Sequence, residues 1–80
     1  MNYETMTFQR AFETEATRVE LWRDSKGISD IFIVRELGLL ATNEHDVVVI
    51  KSESFDVAMT RYNDILYMLK DNGVIIKKYF

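Results

Sequence analysis

Residues 54–73, SFDVAMTRYNDILYMLKDNG, decide the fold, because they spell one helix with both ends marked. Ser54 is an N-cap residue whose hydroxyl can accept from a free backbone N–H of the first turn, and Asp56 puts negative charge near the positive end of the helix dipole. Asn72-Gly73 supplies a left-handed stop. Between these ends Phe55, Ala58, Met59, Tyr62, Ile65, Leu66 and Leu69 recur at three- and four-residue steps, the stripe of a helix that lies on an apolar surface. The pattern predicts a helix from about Phe55 to Asp71, with Phe55, Met59, Tyr62, Leu66 and Leu69 buried and Arg61, Asp64 and Lys70 exposed. The surface beneath it has to be a sheet.

Working outward, the remaining chain reads as strands. Residues 5–13 alternate with Phe8 and Phe12 in one phase; a short amphipathic helix is the competing reading. In residues 16–23, Thr17, Val19 and Leu21 share one face and Arg18, Glu20 and Trp22 the other. Asp24-Ser25-Lys26-Gly27 reads as a tight turn with Gly27 at a positive φ. Residues 28–37 form the return strand, 38–46 a loop, 47–51 a further strand leading into the helix, and 74–79 a last strand. The expected fold is one α+β domain over residues 1–80: a largely antiparallel sheet of four to five strands with one helix on one face, in the order β-β-β-β-α-β. The strands at 47–51 and 74–79, joined through the helix, could run parallel as neighbours and make the sheet mixed.

Composition narrows the class of protein. A chain of 80 residues buries only about 60–65% of its unfolded surface, so the core is thin. It has no cysteine, so neither a disulfide framework nor a cysteine-based zinc site staples it. With 48% hydrophobic and 29% charged residues, the chain is too apolar for disorder and charged enough for solubility. No apolar run approaches a membrane span, and the N-terminus, with Glu4 and no basic apolar leader, does not read as a secretion signal, which makes the cytoplasm the expected location. A net charge of -3 offers no attraction to phosphate backbones.

The apolar residues outnumber what one helix can cover. Ile31-Phe32-Ile33-Val34, Val47-Val48-Val49-Ile50 and Val74-Ile75-Ile76 are continuous runs, which belong to strands covered on both faces. The expectation is that a second molecule covers the other face, first a copy of the same chain and next a different protein, with Phe8, Phe12, Trp22 and Phe32 at the interface; the remaining reading is that the N-terminal segment folds over that face.

Catalytic chemistry has little to work with. Glu44-His45-Asp46 holds the one cluster of ligand-type side chains, but adjacent residues rarely aim at one centre, and no metal is expected there. Asp24, Ser25 and His45 could form a hydrolytic triad only if a fold brought them together; an Asp-Ser pair in a turn has a sufficient local role. Gly27, Gly38 and Gly73 are scattered, so no phosphate-cradling loop is present, and no cofactor or small-molecule substrate is called for. The expected function is therefore a non-enzymatic protein-interaction module acting through a sheet face or edge, as a homodimer or as an inhibitor or adaptor of a partner protein. Small acidic cysteine-free chains of this kind occur among phage and mobile-element proteins, an analogy of size and composition alone. The alternative is a single-stranded nucleic-acid binder in which Phe8, Phe12, Trp22, Phe32, Tyr79 and Phe80 stack bases beside Arg10, Arg18, Arg23, Lys77 and Lys78. The acidic balance weighs against that alternative.

Overall fold

A computed structural model describes residues 5–80; Glu4, read above for the absence of a leader, lies outside them. Four strands, β1 (Met6–Glu13), β2 (Thr17–Asp24), β3 (Ile31–Gly38) and β4 (Asp46–Ser52), precede the helix α1 (Phe55–Asp71), and a two-residue strand β5 (Lys78–Tyr79) follows it. They form one sheet in the order β4-β3-β2-β1-β5. Every neighbouring pair is antiparallel. The strands on either side of the helix lie at opposite edges and never pair, so the sheet is not mixed. The helix spans the residues that its caps mark. Ser54 Oγ accepts from the Val57 N–H, while Gly73 at φ 80° lets the Gly73 and Val74 N–H groups donate to the Lys70 and Leu69 carbonyls.

α1 crosses β2, β3 and β4 and seals the core against Phe12, Val19, Leu21 and Val34. Its deepest residues are Ala58, Tyr62, Ile65 and Leu66, whereas Met59 and Leu69 are half-buried and Phe55 is exposed at the rim. The expected stripe was centred slightly off the buried line: the small Ala58 is what lets the helix approach the sheet, and Phe55 sits at the first turn, against Phe32 with ring centroids 5.3 Å apart. Arg61, Asp64 and Lys70 face solvent as expected. Phe12 and Tyr62 meet edge to face at 5.4 Å. Burial pushes the Tyr62 hydroxyl up to about pKa 12.

Two one-residue register shifts decide which side chains share a face. In β1, Phe8 pairs with Trp22 while Arg10 pairs with Leu21, so Gln9 is an extra residue. Phe8 and Phe12, expected in one phase, therefore point to opposite faces. In β4, Ile50 pairs with Val34 and Val48 with Arg35, leaving Val49 as the extra residue. The strand expected at 74–79 pairs with β1 only at its end, and Ile75 is exposed.

The β2–β3 connection also differs from expectation. It runs from Ser25 to Asp30, Ile28 is fully exposed, and Gly27 does not take a positive φ. The glycine is not what organises the turn. Asp24 does so, its Oδ1 accepting from Thr5 Oγ1 at 2.7 Å and from the Lys26 N–H at 3.0 Å. The glycine that space does require is Gly38, where a Cβ would run into the Asn43 carbonyl and crowd His45 Nδ1 at 2.7 Å.

Leu66→Ala is expected to destabilise the fold by ~2–5 kcal/mol, a large share of the total stability of so small a domain, measured by chemical denaturation. An unchanged midpoint would show that this stripe is not the core face. The Thr5 and Lys26 hydrogen bonds hold the Asp24 carboxyl below its ordinary 3.8. Because the folded value is depressed, this contribution is present above pH 3.8 and fades as pH falls through the folded value. An NMR titration should find Asp24 below 3.8, and Thr5→Ala should move it back upward; no movement would remove Thr5 as the main cause.

Candidate functional site

The face of the sheet opposite α1 carries no second layer among the described residues. Strand alternation and the two register shifts bring Phe8, Ala11, Arg18, Glu20, Trp22, Ile33, Arg35, Asp46 and Val48 onto it. Instead of the continuous apolar patch expected, its centre holds a chain of ion pairs that runs transversely across four strands. Arg18 bonds Glu13 at 3.3 Å and Glu20 at 2.7 Å; Glu20 bonds Arg35 at 3.3 Å; Arg35 reaches Asp46 with both Nε and Nη2. Trp22 Nε1 donates to Glu20 Oε1 at 3.0 Å, and the Arg18 guanidinium lies 4.3 Å from the centre of the Phe80 ring. Glu20 and Arg35 are only 7% and 5% exposed.

Ile33 and Ala11 on this face are almost fully buried, and Arg18, Trp22 and Arg35 flank them on neighbouring register positions, where long stems and an indole ring can lie over a sheet. The chain thus finishes its own open face, and the excess of apolar residues that suggested face-to-face association is largely absorbed. Phe8 and Trp22, edge to face at 5.4 Å, do belong to this face. Phe12 and Phe32 do not, being on the helix side, the first fully buried.

The other groupings weighed from the sequence come apart in the same way. Of the proposed stacking rings, Phe8, Trp22 and Phe80 are on the open side and Phe12, Phe32 and Tyr79 on the helix side; Arg10 and Arg23 share that helix side. No flat aromatic platform results. His45 places Nδ1 2.6 Å from the Asn43 carbonyl oxygen and Nε2 3.4 Å from Glu36, Asp46 turns to Arg35, and Glu44 is exposed, so the three adjacent residues serve different neighbours. Asp24 and Ser25 lie at one end of the β2–β3 ladder and His45 beside Gly38 at the other, about 20 Å away by strand rise. Among the described residues no group of three His, Cys, Asp or Glu side chains could hold a metal ion. An open groove of about 320 Å³ between α1 and the β1–β5 edge offers Arg10, Asn63 and two tyrosines, with no base or nucleophile converging in it.

What sequence reading passed over is the flank formed by β4 and α1. β4 is an edge strand whose outer side has no backbone partner among the described residues. Val47 is 51% and Val48 41% exposed. The groove puts Asn63 and Leu66 on the side of α1 toward β1, so at about 100° per residue Val57, Arg61 and Met68 turn toward β4. Val57 and Met68 are 48% and 55% exposed. The run of valines at 47–49 was the available signal, read there only as a buried strand. No family model, curated protein or solved structure matches the chain.

Arg35→Met is expected to destabilise by about 3 kcal/mol, because Glu20 would stay buried without its cross-strand partner. Glu20→Gln combined with Arg35→Met should lose much less than the sum of the single variants in a denaturation cycle. Additive losses would show that the two charges are not coupled.

Proposed function

We propose that this chain is a non-enzymatic protein-interaction module that works in the cytoplasm by presenting the edge of its sheet to a protein partner. The observation that carries the reading is the β4–α1 flank, where a seven-residue edge, Asp46–Ser52, has no backbone partner on its outer side among the described residues and presents exposed Val47 and Val48 beside exposed Val57 and Met68. Unpaired strand edges are templates for another strand, and natural folds usually shield them with charge, proline or a covering segment. This edge has only Asp46 and Lys51 near its ends and a bulge at Val49 as protection.

The open face supports a lesser role. Its ion-pair chain is already satisfied by the protein itself, and the exposed rings Phe8 and Phe80 border it rather than fill its centre. Nucleic-acid binding has weaker support, since the rings divide between two faces and the net charge is -3. Among the described residues no helix is long and apolar enough to cross a membrane.

A photoreactive residue at position 48 should give protein adducts in the cells that make the chain, while one at Tyr67, on the exposed side of α1 away from β4, should give few. The purified protein should also pass unretained through a single-stranded DNA matrix at low salt. Salt-sensitive retention on that matrix, with no protein adduct at position 48, would overturn the reading.

A further inference from the structure

We propose that the partner seated on β4 is a second copy of the same chain, paired antiparallel about a two-fold axis between Val48 and Val49, so that two five-stranded sheets join into one of ten strands. The inference rests on the interaction reading above and names its occupant. It follows from how the β4 bulge interacts with two-fold symmetry. Residues directly opposite in an antiparallel pair project from the same face of the sheet. In a regular strand Asp46 and Lys51, five positions apart, would point to opposite faces and could not be opposed. The extra residue at Val49 shifts the alternation by one, so that Asp46 and Lys51 both lie on the open face while Val47 and Ile50 both lie on the helix face.

Only because of the bulge does a two-fold centred between residues 48 and 49 set Asp46 against Lys51 of the second copy and Val47 against its Ile50. Opposite charges then meet at both ends of the seam, and apolar side chains meet on the helix side, where Val57 and Met68 of both copies extend the contact. Lys51 has no ion pair within its own chain among the described residues, so this arrangement gives it one. The edge is thus complementary to a second copy of itself, as a two-fold interface requires.

Light scattering on the full chain over a wide concentration range should approach twice the 9.4 kDa of the chain. Lys51→Glu, a change at an exposed side chain, should raise the dissociation constant about tenfold or more by placing like charges at both ends of the seam, with an unchanged melting curve for the monomer. An oxidised mixture of Val47→Cys and Ile50→Cys chains should yield the mixed disulfide in preference to either homodimer, which the absence of native cysteine makes simple to read. A chain that stays monomeric at the highest concentration overturns the second-copy proposal but leaves the edge reading to the photocrosslinking at position 48. A dimer that survives Lys51→Glu and dissociates on Trp22→Glu overturns it in favour of the open face.

Discussion

The buried pair of Glu20 and Arg35 is the constraint on which the rest of the structure depends. Two charges at 7% and 5% exposure can persist in a sheet with only one helix because each is held on several sides: Glu20 by Arg18, Arg35 and the Trp22 indole, Arg35 by Glu20 and Asp46. Removing charges from water costs several kcal/mol per ion unless the geometry and the remaining hydrogen bonds offset it, so the pairings across β1 to β4 have to keep one register. A slip of one residue would send Glu20 and Arg35 into the core and bring Val19, Leu21 and Val34 out. The network therefore specifies the sheet as well as covering it.

This has a consequence for how so small a protein could act. A five-stranded sheet with one helix has one layer too few, and the common remedy is a second molecule on the bare face. Here, among the described residues, that face carries the long side chains of Arg18, Arg35 and Trp22 and their ion pairs. On the proposed reading, association belongs at the rim. At the rim, β5 and the segment leading into it partly occupy the β1 edge, with Lys77 and Phe80 N–H groups donating to Glu13 and Ala11 carbonyls. β4 has no equivalent cover among the described residues.

The extent of the helix was legible because caps and stop are local and redundant, each of Ser54, Asp56, Asn72 and Gly73 reporting on its own neighbourhood, whereas its buried line was only partly so, since Phe55 lies exposed at the rim. β2 was legible for the same reason, its alternation unbroken from Thr17 to Trp22. What was not legible depended on single-residue insertions. A bulge leaves no compositional mark, so Gln9 and Val49 could not be recognised as extra residues, and the facing of Phe8 relative to Phe12 went wrong with them. Gly27 misled because Asp24 takes over the organisation of the turn through its side chain, which frees the glycine of any special φ. The partnership of Glu20 with Arg35 was equally hidden: the two are fifteen positions apart and meet only after the hairpin has closed.

Amide hydrogen exchange followed by NMR as a function of protein concentration tests this division between a finished face and an unfinished edge. If the account is right, the outward-facing amides of β4 between Val47 and Lys51 gain protection as concentration rises. The Trp22 indole N–H, already bonded to Glu20, should exchange slowly at every concentration. Protection that grows at the Trp22 indole while β4 stays unchanged would contradict it, and would return the interaction surface to the open face.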